Sequence, residues 1–171
     1  MGLEIERRFY IKNIQKISEI TEKYKDTKKT IIQDYIYSDM LTAIRKRKII
    51  KNNMVKYIYT VKTGRKLIAV NEFEEEITKE QYDSIKTDPS RITIEKDRYV
   101  IPYKDGLNIE LDIFHGVYEG VIFAEIEFKS EEQAKNTPIP EWFDVEIGNI
   151  ISNNKMSKGI ESVEKYIKQN I

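Results

Sequence analysis

The sequence contains no cysteine, a single histidine, four prolines and seven glycines among its 171 residues. Without cysteine there can be no disulfide framework, no thiolate zinc site and no cysteine nucleophile. The 29 basic residues balance the 29 acidic ones, so a bulk positive field is absent and no nucleic-acid partner is expected. No apolar run is long enough to cross a bilayer, and the opening residues do not resemble a signal peptide. We therefore expect a cytoplasmic protein without a membrane partner.

What the chain does contain favours one folded domain. Charged residues make up 34% of the chain, but 11% is aromatic and Ile and Val recur at regular spacing, which argues against disorder. No internal repeat, low-complexity tract or linker divides the sequence. We therefore expect a single domain over residues 1–171, and nothing in the sequence indicates an oligomeric state.

Alternation of apolar and polar residues with a period of two is the dominant pattern, and it predicts about eight strands. They are Leu3–Ile11, Ile32–Tyr37, Thr42–Ile50, Val55–Lys62, Ala69–Ile77, Ile92–Pro102, Asn108–Phe114 and Phe123–Lys129. Short polar turns between several of them indicate antiparallel neighbours. About eight antiparallel strands can close into a barrel. The predicted fold class is α+β, an eight-stranded antiparallel β-barrel with flanking helices.

Helical spacing of apolar residues is confined to a few segments. It predicts a helix over Asn13–Lys25, with Asn13 as a possible cap, and a last helix over about Ser157–Lys168. Thr78 and Ser130 each precede a glutamine by three residues, the pattern of a capping box that opens a helix.

Residues of like charge recur two apart along the predicted strands, so each pair lies on one strand face. The acidic pairs are Glu4 and Glu6, Glu72 and Glu74, Glu110 and Asp112, and Glu125 and Glu127. The basic residues are Arg45 and Arg47, Lys96 and Arg98, Lys62, and Arg8 beside the first acidic pair. For any one strand, a solvated outer face explains such a pattern, but a solvated face usually mixes signs. The alternative is that the charged faces point into the barrel.

A lumen lined by such groups is costly without a ligand, because close like charges repel and are partly desolvated. A polyanion that carries a divalent metal would relieve both signs. Arginine and lysine would hold phosphate oxygens, and hard Mg²⁺ or Mn²⁺ would bridge carboxylates to phosphate. The sequence therefore favours a phosphate-bearing polyanion as ligand, with Mg²⁺ or Mn²⁺ as cofactor.

The same residues carry a resemblance to a known family. The segment from Glu4 to Phe9 resembles the Glu-x-Glu-x-Lys signature that opens the CYTH superfamily, the triphosphate tunnel metalloenzymes. Similar segments follow in the family's order over nearly the whole chain. They are 32–36, 43–47, 59–64, 72–77, 96–98, 110–116, 124–128, 140–143 and 153–157.

The resemblance implies metal-dependent hydrolysis of inorganic triphosphate to pyrophosphate and phosphate inside a charged barrel tunnel. Glu4, Glu6 and Arg8 are the predicted catalytic residues. The predicted phosphate ligands are Arg8, Arg45, Arg47, Lys62, Lys96 and Arg98. The predicted metal ligands are Glu4, Glu6, Glu125 and Glu127, with Glu72, Glu74, Glu110 and Asp112 lining a second site or orienting water.

Two alternatives stay open. One is another enzyme of the same fold, an ATP-cyclising adenylate cyclase or a thiamine triphosphatase, although no base-reading motif is visible. The other is a non-catalytic module that binds triphosphate or polyphosphate. Arg8 motivates the second alternative, because the family signature has lysine there and arginine is a permanent cation that cannot shuttle a proton.

Overall fold

The computed structural model describes residues 2–64, 69–148 and 150–171, and it is built mainly of antiparallel strands. The strands are β1 (Gly2–Tyr10), β2 (Lys29–Ser38), β3 (Thr42–Lys51), β4 (Met54–Thr63), β5 (Ala69–Ile77), β6 (Ile94–Pro102), β7 (Asn108–Phe114), β8 (Ile122–Phe128) and β9 (Val145–Glu146). The helices are α1 (Ile14–Lys23), α2 (Lys79–Ser84), α3 (Glu131–Asn136), α4 (Asn153–Ser157) and α5 (Val163–Asn170). No helix of the described residues is long and apolar enough to span a bilayer.

Strands β1 to β8 close into a ring, which confirms the predicted eight-stranded barrel. The strand order is β5-β4-β3-β2-β6-β7-β8-β1, and β1 pairs back to β5 through Gly2 opposite Glu72 and Ile5 opposite Ala69. Every pairing is antiparallel. The short strand β9 pairs with the last two residues of β1, Phe9 and Tyr10. It was not predicted, because two residues are too few to show an alternation.

Local sequence explains several of the connections. Asn52 and Asn53 both adopt positive φ values, 48° and 63°, and Lys51 pairs with Met54. Two consecutive residues with positive φ form the tight hairpin turn whose twist matches the flanking strands, and asparagine tolerates this conformation. The polar turn predicted at this point is thereby confirmed.

Three helix starts were predicted correctly. Asn13 caps α1, Thr78 and Gln81 form a full capping box on α2, and the Ser130 side chain accepts a hydrogen bond from Gln133 N–H at the start of α3. The last helix, predicted over about Ser157–Lys168, is confirmed only from Val163 onward, where α5 begins. Ser157 is instead the last residue of a separate helix, α4, which was not predicted.

The break between α4 and α5 has a local cause. Gly159 follows α4 with φ +87°, a conformation that ends helices. Ser162 then caps α5 by accepting a hydrogen bond from Lys165 N–H. Gly159 and Ser162 are therefore the stop and start signals that an apolar periodicity alone does not reveal.

The apolar residues form two clusters on opposite sides of the barrel wall. The first lies outside the wall, where strand residues such as Leu111 and Ile126 pack with Ile17 and Ile20 of α1. The second lies inside one end of the barrel. Its members include Tyr35, Ile94, Phe114 and Phe123 from the strands, and Ile151, Met156 and Ile167 from the C-terminal residues. The lumen is therefore charged in one part and apolar in the other, a division that the charge pattern did not predict.

Candidate active site

The charged strand faces point into the barrel, which is the second of the two orientations that the alternation allowed. Arg8 is paired in register with Glu125 on the adjacent strand, and Glu125 with Glu110 on the next, so residues of three neighbouring strands lie side by side on the lumen wall. A cavity of about 240 Å³ occupies this region. Every predicted catalytic, phosphate-binding or metal-binding residue lines the cavity, with the exception of Asp112.

Asp112 is on the inward face of β7 but is fully buried beneath Lys96 and Arg98, so it does not line the cavity. Its carboxylate accepts hydrogen bonds from Arg98 Nε and Nη2 at 2.5 and 2.6 Å, and it also pairs with the Lys96 ammonium. The structure therefore places Asp112 as the common anchor of two cations, where the sequence suggested a metal ligand. Its strand face was predicted correctly, but the sequence does not reveal how far two long side chains reach over it.

The cations of the cavity are crowded. Burial, followed by repulsion from Arg45 and Arg98, lowers the pKa of Arg47 to about 10, although Glu74 attracts the charge. Burial and the neighbouring Arg98 lower the pKa of Lys96 to about 8, against the attraction of Asp112. Burial also lowers the pKa of Lys29. Added negative charge on this wall would stabilise all three cations.

Two of these arginines also have unused donors. The Nε atoms of Arg45 and Arg47 are buried and have no hydrogen-bond partner among the described residues. A buried donor that is left unpaired is costly. Phosphoryl oxygens accept hydrogen bonds from guanidinium groups with short, strong geometry, so this wall is suited to an oxyanion.

The carboxylates crowd the opposite wall. Burial, with the charges of Glu125 and Glu4, raises the pKa of Glu6 against the attraction of Arg8. Burial and four surrounding carboxylates, including Glu4 and Glu110, raise the pKa of Glu127. Burial acts the same way on Glu125, but Arg8, Arg98 and Lys96 outweigh it and hold its pKa well below the usual range.

Ion pairs join the lumen residues both within and between the two walls. On the acidic wall, Arg8 binds Glu125 at 2.6 Å and Glu6 at 2.8 Å. Between the walls, the Arg45 guanidinium lies 3.6 Å from Glu72. The other lumen pairs are Lys62 with Glu4, Arg47 with Glu74 and Arg98 with Glu110. The protein's own acids and bases thus act as partial counterions for one another.

The acidic wall has the chemistry of a site for a hard divalent cation. Its donors are carboxylate oxygens, the ligands that Mg²⁺ and Mn²⁺ prefer, and the raised pKa of Glu127 shows that a positive charge there would be stabilised. In the described part of the chain, no group of three or more acidic or histidine side chains already converges as a metal site. The donor set fits such a metal, although these side chains are held by arginine and lysine in this arrangement.

The cavity also contains residues that the sequence analysis missed. They are Lys29, Ile31, Gln33, Ile49 and Asn153. Lys29 was missed because β2 begins three residues before its predicted start, and Gln33 because it carries no charge. The alternation continues through both residues, so a longer strand would have placed them in the lumen. Asn153, from α4, lies in segment 153–157, which resembles the family, but the sequence analysis assigned no site role to it.

Comparison with known proteins supports the assignment of the eight-stranded barrel fold. The chain is 32% identical to an inorganic triphosphatase of Nitrosomonas europaea over 91 residues, a match that covers 53% of this chain and spans 60% of the length of that relative. No family model matches the chain.

Solved structures give the same result over more of the chain. A structure of an inorganic triphosphatase superposes with a TM-score of 0.57 at 24% identity and covers 95% of this chain and 99% of its own. A protein from Hippeastrum that was assigned as an adenylyl cyclase and shows a dominant triphosphatase activity gives a TM-score of 0.61 at 17% identity, covering 77% of this chain and 82% of its own. A protein from Bacillus halodurans that was assigned as an adenylate cyclase gives 0.59 at 18% identity, covering 89% of this chain and all of its own. The chain therefore shares the fold of these solved structures.

Proposed function

We propose that the protein hydrolyses inorganic triphosphate to pyrophosphate and phosphate with the help of Mg²⁺ or Mn²⁺. The observation that carries this proposal is the separation of charge in the cavity. On one wall, burial and neighbouring cations lower the pKa values of Arg47 and Lys96, although at Arg98 burial is outweighed by the surrounding acids, which raise its pKa. On the other wall, the pKa values of Glu6 and Glu127 are raised, while at Glu125 burial is outweighed by cations, which hold its pKa low. A metal-bound polyphosphate supplies the missing charge to both walls.

The size of the cavity supports a substrate without an organic part. Its volume is about 240 Å³, which lies below the range of about 300–1,000 Å³ that is usual for sites enclosing drug-sized molecules. A bare triphosphate suits such a space, whereas the nucleoside of ATP would have to lie outside it. None of the described residues that line the cavity offers an aromatic ring for a base to stack on.

In the proposed reaction, the basic residues bind and orient the substrate. Arg45, Arg47 and Arg98 donate hydrogen bonds to phosphoryl oxygens and stabilise the negative charge that spreads over them. Water attacks the terminal phosphorus, the bond to the bridging oxygen breaks, and pyrophosphate leaves with the electron pair.

Carboxylates of the opposite wall would hold the metal, chiefly Glu4, Glu6, Glu125 and Glu127, with Glu72, Glu74 and Glu110 nearby. A divalent cation bound there would neutralise phosphate charge and polarise the phosphoryl group. The basic wall thus positions the substrate, and the acidic wall holds the metal that neutralises phosphate charge.

A panel of phosphate-release assays tests the proposal. Inorganic triphosphate, ATP and thiamine triphosphate are supplied at equal concentration with Mg²⁺ or Mn²⁺, and cyclic AMP is measured in parallel. We expect inorganic triphosphate to be cleaved faster than ATP, because the cavity contacts phosphates only. Cyclic AMP formation that exceeds phosphate release from inorganic triphosphate would contradict this ranking.

The same panel tests the non-catalytic alternative. Arg8 lies where the family signature has lysine, and Glu125 and Glu6 raise its already high pKa against the effect of burial, so it stays a fixed cation. A protein that binds triphosphate but releases no phosphate with either metal would be a binding module, and the proposed hydrolysis would be wrong.

A further inference from the structure

The C-terminal residues 150–157 lie against the charged lumen and bring one polar side chain to it. Asn153, the first residue of α4, is 7% exposed and lines the cavity. The helix α4 contacts β2 and β6, the strands that carry Gln33 and Lys96. Asn153 therefore reaches the cavity from the apolar end of the lumen and does not belong to a barrel strand.

The Asn153 side chain contains a buried polar atom that lacks a hydrogen-bond partner. Its Oδ1 atom is buried and has no partner among the described residues. Four buried side-chain atoms of the described residues are unpartnered in this way. Three of them, from Asn153, Arg45 and Arg47, belong to residues that line this one cavity. Buried polar groups are normally paired, so this concentration points to a polar ligand shared by the three side chains.

The position of Asn153 is fixed by contacts on both sides of it. Arg8 Nη1 donates to the carbonyl of Ile151 at 3.3 Å, and Arg91 Nη1 donates to Asn154 Oδ1 at 3.1 Å. Ile92 N–H donates to the carbonyl of Ser157 at 2.7 Å. Because the residues around it are anchored to the barrel, Asn153 cannot easily turn away to find another partner, and its amide is preorganised toward the lumen.

The chemistry of the neighbouring cavity residues decides which end of the amide is used. The oxygen and nitrogen of a carboxamide exchange places by a half-turn of the side chain, and the nitrogen is a donor of two hydrogen bonds. A ligand shared by Asn153 and the two unpaired arginine donors must offer hydrogen-bond acceptors. A phosphoryl oxygen is the acceptor that the positive charge of this wall favours.

We propose that Asn153 is a substrate-contacting residue whose side-chain amide donates a hydrogen bond to a phosphoryl oxygen of triphosphate bound beside Arg45 and Arg47. This proposal rests on the proposed function for the identity of the ligand. It adds to the barrel a residue from the C-terminal segment, so the phosphate site is complete only when residues 150–157 are folded against the strands.

Calorimetric titration with inorganic triphosphate in the presence of Mg²⁺ tests the proposal on the whole chain. Asn153→Ala removes the donor and should weaken binding by about 10-fold to 150-fold, the usual loss for a hydrogen bond to a charged group. Its melting temperature without ligand should not fall, because a buried unpaired atom is removed. Asn153→Asp, which keeps the shape but places an anion against phosphate, should weaken binding further.

Asn154→Asp is the matched control. It adds the same charge one residue along the chain, but the new carboxylate lies against Arg91 and away from the lumen. Its affinity for triphosphate should stay close to that of the parent. Should Asn153→Ala fail to fold, the comparison of the two aspartate variants still decides the matter.

Three outcomes overturn the proposal. Parent-like affinity in Asn153→Ala would show that the amide does not contact the ligand. Equal losses in Asn153→Asp and Asn154→Asp would show a general charge effect, and no binding to the parent would overturn the phosphate site altogether. A parent that binds triphosphate but does not hydrolyse it would refute the proposed function and leave the Asn153 comparison valid.

Discussion

Glu127 illustrates at the scale of one residue how the site stores unfavourable charge. Its pKa is raised by burial and then by Glu4, Glu110, Glu72 and Glu6. Among the described residues, it forms no ion pair with a lysine or arginine. A group whose charged form is disfavoured in this way is stabilised when it is neutralised, by a proton or by a bound cation. The Glu127 carboxylate therefore lowers the stability of the fold without ligand, but it favours the binding of a metal ion.

Replacement of Glu127 or Glu6 by glutamine is expected to separate these two effects. The amide keeps the size but removes the charge, so turnover of inorganic triphosphate should fall by at least about two orders of magnitude. The melting temperature without ligand should stay the same or rise, because repulsion among the carboxylates is relieved. Steady-state kinetics and thermal unfolding of each variant provide the measurement.

Glu75→Gln is the control for this comparison. Glu75 lies opposite Tyr59 on the outer face of β5 and is exposed, so its neutralisation should leave turnover unchanged. Near-normal activity in both Glu127→Gln and Glu6→Gln would show that these carboxylates are not metal ligands.

At the scale of secondary-structure elements, the strands could be predicted and the C-terminal region could not. Alternation is a local property, so it identified β5 and β7 to the residue and showed which face of each strand carries charge. The break at Gly159 was missed because the apolar stripe continues on both sides of it. The position of Asn153 depends on how α4 folds back over β2 and β6, and no local pattern records such a long-range contact.

The β6–β2 junction offers a prediction about pH at this scale. Asp97 on β6 accepts hydrogen bonds from Thr30 at 2.6 Å and from Lys28 at 2.9 Å, and His115 Nε2 lies 2.9 Å from it. Burial opposes charge on His115, but the hydrogen bond and charge of Asp97 outweigh burial and raise the pKa of the imidazole. The charged ring is thus favoured in the folded protein.

Because the folded pKa of His115 lies above its unfolded value, its contribution to stability is complete below the unfolded pKa of about 6.5. The contribution is lost as the pH rises through the raised folded value. His115→Asn should therefore lower the melting temperature near pH 5.5 and have a smaller effect near pH 8.5. About 2–4 °C is expected at the lower pH for a partly exposed pair worth at most about 1 kcal/mol.

Thermal unfolding of both proteins across this pH range tests the assignment. Asp97 and Glu119 are the acids that face the ring, so no other carboxylate is needed to explain the effect. A difference between parent and variant that grows with pH would contradict it.

At the scale of the whole molecule, the position of a charged residue is set by whether its strand face points into or out of the barrel. The outward faces of the strands pack with α1 or meet solvent, while the inward faces bring acids and bases from distant parts of the chain into one cavity. The ion pair between Arg8 and Glu125 spans 117 residues of sequence. Folding therefore assembles a site in which like charges are close, and a ligand that neutralises them must stabilise the folded chain.

This coupling predicts a measurable gain in stability. A ligand that binds only the folded state adds about 2.7 kcal/mol at a hundredfold excess over its dissociation constant. For a domain of this size, inorganic triphosphate with Mg²⁺ should raise the melting temperature by roughly 5–11 °C. Differential scanning fluorimetry with the metal alone as reference provides the measurement, and no shift in the parent would contradict the inward orientation of the charged faces.

A pair of arginine variants then separates the two faces of the barrel wall. Arg47 lines the cavity, and Arg47→Ala should remove much of the ligand-induced shift because it deletes a donor to phosphate. Arg7 lies on the outer face of β1, where it binds Glu146 at 2.7 and 2.8 Å and the carbonyl of Ala134 at 3.1 Å. Arg7→Ala should lower the melting temperature without ligand, since it loosens β1 from β9 and α3, yet leave the shift nearly intact. The contrast holds whether or not the protein is catalytic, and an equal loss of the shift in both variants would show that the two faces have been assigned wrongly.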